Sequence, residues 1–164
     1  MPASGKTTIA EALSQRLRVP LIAKDEIKES LYDSLGSGDV SWSGRLGDAA
    51  YELIFSLVGS MLAAGVSLII EANFFSGQAQ RWRSLPEHRV VQIHCSAPLE
   101  MLLERYARRE RHPGQHDSDK ITELSGRFES GAHAPLSLDG ELIEVDTGEP
   151  VDLDALAARI SASL

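Results

Sequence analysis

Cysteine occurs once in these 164 residues, as Cys95, which excludes an intrachain disulfide and fits a reducing compartment. Positive charge is scarce: 16 Lys and Arg stand against 24 Asp and Glu, a net charge of −8. That balance argues against a protein that coats nucleic acid, although it leaves room for a small local basic site. No unbroken apolar run approaches the roughly 18 residues of a membrane helix. The longest helix-like stretch, Gly44 to Ala64, is interrupted by Asp48, Glu52 and Ser56. Lys6, Glu11 and Arg16 break any signal-peptide pattern. These features set the expectation of a cytoplasmic protein without membrane contact. Repeats, low-complexity tracts and linkers are also missing, so 1–164 reads as a single domain, a length that can bury a real core.

What is present begins at once. Ala3-Ser4-Gly5-Lys6-Thr7-Thr8 matches the second half of a phosphate-binding loop, G-x-x-x-x-G-K-[ST], whose first glycine would fall one residue before Met1. Gly5 lets the backbone wrap close to phosphate oxygens, and successive N–H groups cradle them. Lys6 bridges β- and γ-phosphates, and the Thr7 hydroxyl can hold Mg²⁺. Ile9, Ala12, Leu13, Arg16 and Leu17 recur at helical spacing, so a helix starts here and points its positive end at the phosphates. The plainer reading is a Gly-Lys-Thr that merely opens a surface helix.

Downstream, strand and helix patterns alternate. Residues 20–24 read as a strand, 25–35 as a helix and 36–43 as a Gly/Ser loop. Residues 44–64 read as an amphipathic helix with Leu46, Ala49, Ala50, Leu53, Ile54, Leu57, Val58, Met61 and Leu62 on its apolar stripe, closed by Gly65. A buried strand over 66–72, a short helix over 77–84 and a strand over 89–95 follow. A helix over 98–111, a break at 112–118, a helix over 119–129, a strand over 142–146 and a helix over 152–163 complete the chain. A phosphate loop normally follows a buried central strand, and that strand is not in the sequence. Leaving its neighbours unpaired would cost about 1–3 kcal/mol per buried group, against a domain stability of about 5–15 kcal/mol. The expectation is an upstream start, with a partner chain, a rearranged sheet or partial folding as alternatives.

Three further segments carry candidate chemistry. Lys24-Asp25-Glu26-Ile27-Lys28 follows the second strand pattern, where ligands bind in open α/β sheets. Asp25 is placed to take a proton from an attacking hydroxyl, and Lys24 and Lys28 to hold an anionic substrate group. Equally, Asp25 is a helix cap and Lys28 an exposed lysine. Ile69-Ile70-Glu71-Ala72-Asn73-Phe74 ends a buried strand in an acid that could orient Mg²⁺, although aspartate is commoner there; Asn73 could touch either ligand. Arg105, Arg108, Arg109 and Arg111 crowd seven positions before Pro113 and Gly114 break the helix. The first three share a helix face and suit a lid, over about 105–118, that closes on phosphate. The alternative is a solvated face paired with Glu104 and Glu110. His112, His116 and Asp117 lack helical metal-ligand spacing because Pro113 and Gly114 intervene. Cys95 reads as core, and Trp42 and Trp82 as packing at the rim. Thr147-Gly148-Glu149-Pro150 is a turn whose backbone could face an adenine.

Together ASGKTT at 3–8, KDEIK at 24–28, IIEANF at 69–74, ERYARRERHPGQHD at 104–117 and VDTGEPVD at 145–152 resemble the small P-loop kinases of the adenylate-kinase-like group. The nearest likeness is to the AAA-domain-containing, zeta-toxin-like ATPases. The resemblance implies a three-layer α/β/α sandwich with a parallel sheet, and Mg·ATP as phosphoryl donor. It implies Ala3, Ser4, Gly5, Lys6, Thr7 and Thr8 on phosphate, Thr7 and Glu71 at the metal, and Asp25 as base. Arg105, Arg108 and Arg109 would act as lid arginines, with Thr147, Gly148 and Pro150 beside the adenine. The expected activity is transfer to a hydroxyl of a small molecule. A regulatory nucleotide-binding module and a polynucleotide 5′-hydroxyl kinase are the alternatives.

Overall fold

Parallel pairing governs the architecture of the computed structural model, which describes residues 1–109, 112–115 and 134–163. The described elements run α1 (Lys6–Leu17), β1 (Leu21–Ala23), α2 (Lys24–Leu35), α3 (Val40–Ala63), β2 (Ile69–Glu71), α4 (Ala79–Arg83), β3 (Val91–Ser96), α5 (Leu99–Arg108), β4 (Glu141–Asp146) and α6 (Leu153–Ser163). Short 3₁₀ turns occupy Ser76–Gln78 and Pro113–Gln115. The helix expected over 119–129 lies outside the described residues.

The sheet layer is split. β1 pairs in parallel with β2, in register from Leu21↔Ile69 to Ala23↔Glu71. β3 pairs in parallel with β4, from Val91↔Glu141 to Ser96↔Asp146. The two ladders are separate two-stranded sheets. Helices cover both faces, giving the α/β/α layering. On one face Ile9 and Leu13 of α1 and Leu156, Ala157 and Ile160 of α6 pack with Cys95, Ile143 and Val145. On the other, Ile54, Phe55 and Val58 of α3 pack with Ile22, Trp82 and Leu136. Successive residues of β2 serve opposite faces, Ile69 towards α1 and α6 and Ile70 towards α3, as a strand's two-residue period requires.

Leu13 is 1% exposed and belongs to the core cluster of Cys95, Ile143 and Val145, against which Ile69 also packs. Leu13→Ala is expected to cost about 2–5 kcal/mol, read as a lower urea midpoint with an unchanged slope.

Several boundaries differ from expectation for identifiable reasons. The loop over 36–43 is shorter, because Asp39 caps α3 by accepting a hydrogen bond from the Trp42 N–H at 2.8 Å. Lys24 begins α2 instead of ending β1. The strand over 66–72 contracts to three residues, partly because Gly65 and Val66 cap α3 through N–H bonds to Leu62 and Met61 carbonyls. The buried stripe of α3 runs through Leu46, Ala50, Ile54, Phe55 and Val58, while Leu53 and Leu57 face outward. Trp82 is core instead of rim, edge-on to Phe55 and Phe74. Cys95 is buried, as expected. By length and composition α3 is apolar enough to cross a membrane. Its fully buried Ala50, Ile54 and Val58 mark it as the helix that covers the β1–β2 sheet.

Candidate active site

The carboxyl ends of the strands meet the start of α1 at one rim. The loop before α1 is wound by two left-handed residues, Ala3 at φ 59° and Gly5 at φ 76°. Buried Ser4 ties it closed by donating to the Met1 carbonyl at 2.8 Å. Alternating backbone handedness of this kind turns N–H groups into a concave anion cradle. Gly5 caps α1 with no side-chain hydrogen bond, which leaves the first-turn N–H groups to a ligand. A Cβ on Gly5 would meet only Thr147, at 3.5 Å, so its positive φ is the constraint on residue type.

Lys6 lies on the first turn and reaches Glu71 at the end of β2, Nζ to Oε1 3.3 Å. Both side chains are largely shielded, at 17% and 5% exposure. A cationic cradle beside a buried acid fits a phosphate chain with its divalent ion. Among the described residues no cluster of three or more His, Cys, Asp or Glu forms a metal cage. Mg²⁺ commonly takes one or two protein oxygens with phosphate and water completing its shell, and the Glu71 carboxylate beside Lys6 would supply one.

Asp25 stands on the first turn of α2, next to Lys24 at 3.3 Å. Above it lies Tyr51 of α3, which the sequence did not mark as functional; a hydroxyl among aliphatic helix residues was the available signal. Tyr51 donates to the Asn73 carbonyl at 2.6 Å. Burial first, then the negative charge of Asp25, push its phenol well above the ordinary range, with a smaller push from Glu71. The two acids therefore bear on one aromatic side chain. Lys24 also lies 5.7 Å from the Tyr51 ring centroid.

The arginines separate. Arg105 grips the loop after β4: its guanidinium donates to Thr147 Oγ1 at 3.1 Å and to the Thr147 carbonyl at 2.8 Å. Thr147 in turn donates to the Ser96 carbonyl through N–H and hydroxyl, at 2.8 and 3.0 Å. Gly148 N–H closes the turn on Asp146 at 2.8 Å. Arg108 pairs with Glu104 at 2.7 Å in solvent. Arg109 leaves the helix in an extended conformation, so the expected three-arginine face reduces to Arg105 and Arg108. Arg111, His116 and Asp117 lie outside the described residues.

Of the segment expected to act as a lid, the described residues 112–115 rest on α2. His112 Nε2 lies 2.9 Å from Asp33 Oδ1, with its ring edge-on to Tyr32. Gln115 donates to Glu29 at 3.0 Å and accepts from Lys28 at 3.4 Å. Lys28 is consequently buried, not exposed. Trp42 is exposed and donates to the Gly36 carbonyl, with Arg45 over its ring.

Comparison with known proteins places this geometry in context. The model of a family described as an AAA domain matches residues 1–130. A shikimate kinase from Ruegeria pomeroyi is 28% identical over 167 residues, spanning all of this chain and 81% of that protein. A crystal structure described as a "putative kinase" from Chloroflexus aurantiacus is 35% identical. It covers 99% of this chain and 94% of its own, with a TM-score of 0.93. A sugar kinase from Janibacter sp. shares the fold at 20% identity and a TM-score of 0.65, covering 98% and 88%.

Proposed function

This chain belongs to the AAA-domain family, and on that premise we propose that it transfers the γ-phosphoryl of ATP to a hydroxyl of a small molecule, with Asp25 as base. It is a P-loop kinase, a phosphotransferase acting on an alcohol group. The observation that supports the finer reading is the adjacency of two strand ends: Ala23, one residue before α2 and two before Asp25, pairs with Glu71, on which Lys6 rests at 3.3 Å.

In this reading the Gly5 cradle and α1 hold the β- and γ-phosphates, and Lys6 turns from Glu71 to bridge them. Thr7 and Glu71 would hold Mg²⁺, which draws charge off the transferring phosphoryl when bound. Asp25 accepts the proton of the attacking hydroxyl as the oxygen moves in line with the γ-phosphorus. Tyr51 fixes the wall between Asp25 and Asn73. Arg105 holds Thr147, and with Gly148 and Pro150 this loop would seat the adenine ring. In the same reading Arg109, the extended residue that ends α5, serves as a lid arginine toward phosphate.

The test is acceptor-dependent ADP release from Mg·ATP across sugars, sugar acids and cyclic hydroxy acids, shikimate included. At least one hydroxyl acceptor is expected to raise ADP release above background. Nucleotide binding without turnover on any of them would instead favour a regulatory module. Arg105→Ala is expected to raise the KM for ATP about tenfold while changing kcat little, because it frees a loop that binds equally in ground and transition states. Steady-state kinetics at varied ATP checks this.

A further inference from the structure

Residues 72–75 join β2 to the 3₁₀ turn at Ser76–Gln78 without regular structure of their own. Their backbone groups have no helix or ladder to join, so each needs a partner from elsewhere. For the Asn73 carbonyl that partner is Tyr51, whose hydroxyl donates to it at 2.6 Å across 22 positions of sequence. The Gln78 side chain hydrogen-bonds the same hydroxyl. Gln78 Oε1 accepts from the Phe75 N–H at 3.0 Å, which leaves the amide N–H₂ group to face the phenol oxygen. One hydroxyl thus ties the loop at 73 and 78 directly, and at 75 through a glutamine.

The mount is rigid. Tyr51 follows Ala50 and precedes Ile54 on α3, both 0% exposed. Its ring lies 6.1 Å from that of Phe74, which is in turn edge-on to buried Trp82. Lys24 Nζ lies 5.7 Å from the Tyr51 ring centroid and 3.3 Å from Asp25 Oδ1. Tyr51 therefore spans two banks: the joint that carries Asp25, and the loop that follows Glu71. Burial, then the charge of Asp25, keep the proton on the phenol, so it remains a donor.

We propose that Tyr51 is a positioning residue for the acceptor: its hydroxyl sets the gap between Asp25 and residues 73–78, the space in which the attacking hydroxyl is held.

The inference rests on the reading of Asp25 as the base. Asp25 is fixed by β1 and α2, so the loop is the movable bank. A loop released from Tyr51 must be ordered again each time an acceptor binds. That cost falls on acceptor binding and spares the chemical step, since Asp25 and the phosphate cradle keep their places. A packing role alone would reside in the ring, which phenylalanine keeps.

The test uses Tyr51→Phe and Gln78→Leu, each of which removes the strut at nearly constant volume. The acceptor is the one that gives the highest ADP release in the screen above. Each variant is expected to raise the KM for that acceptor about tenfold, with kcat within about threefold and the KM for Mg·ATP unchanged. Amide exchange at Phe75 and Gln78, both hydrogen-bonded within the loop, should quicken about tenfold, while α3 exchanges as in the wild type. Because both changes cut one strut, the double variant should match the single ones instead of multiplying their effects. If Tyr51→Phe does not fold, Gln78→Leu gives the same two readings from a partly buried position. Unchanged acceptor KM, unchanged exchange in the loop, or multiplied effects in the double variant would overturn the proposal and leave the transfer reading intact. A wild-type protein that turns over none of the hydroxyl acceptors would overturn both, because there is then no acceptor to position.

Discussion

Asp25→Ala is expected to lower kcat by about 10²–10⁴, with ATP affinity unchanged. The carboxylate stands on the first turn of α2, whereas the phosphate cradle is built from the loop before α1, so in the proposed mechanism its loss removes proton acceptance and leaves phosphate binding in place. Its ion pair with Lys24 joins adjacent residues at a partly exposed site and is worth at most about 1 kcal/mol to the fold. Asp25→Asn keeps the shape, and α2 is capped at Ala23 with no side-chain hydrogen bond to lose, but the amide cannot take a proton, so it should fall as far as Asp25→Ala. Calorimetric binding of Mg·ATP alongside acceptor turnover separates the two quantities. Turnover within a few-fold of wild type in Asp25→Asn would remove Asp25 from the chemistry.

Lys6→Met is expected to lose at least about 10²-fold in kcat/KM and to weaken the fold at the same time. Lys6 is the cation at the mouth of the cradle, so the transferring phosphoryl loses a fixed positive charge. The same change leaves Glu71, 5% exposed, without its counter-charge, at a cost of about 3–5 kcal/mol. Adding Glu71→Gln should return most of the stability and none of the activity, since the glutamine needs no cation and the phosphates still do. Urea unfolding and steady-state kinetics on the single and double variants decide it. A double variant that regains turnover would show that Lys6 serves the fold alone.

The phosphate loop and the α/β alternation were legible because they rest on local rules: a Gly-Lys-Thr before a helical period, and apolar runs of strand length. The Asp39 cap was also written locally, in an Asp three residues before Trp42, but Gly36 and Gly38 masked it. Other features depend on distant partners. Lys28 is buried because Gln115, 87 residues later, lies over it. Arg105 turns to Thr147, 42 residues away, while Arg108 turns to its own helix. Helical spacing alone cannot separate those two fates. Leu53 and Leu57 fit the period as well as Ile54 and Val58, and only the position of the β1–β2 sheet chooses between them. Tyr51 entered the site for the same reason, carried there by an otherwise structural helix.

β1 ends at Ala23 and α2 begins at Lys24 with no loop between them, whereas residues 72–75 separate β2 from the turn that follows. The acid at position 25 thus stands on a joint between two regular elements, with no hinge of its own. Diversification of such an enzyme need not touch that joint. Residues 72–75 can be lengthened or redrawn without moving position 25, because no loop links β1 to α2. If Asp25 is the base, as proposed, its place in the sheet is set by strand and helix alone, and variation in the neighbouring loop leaves it where it stands.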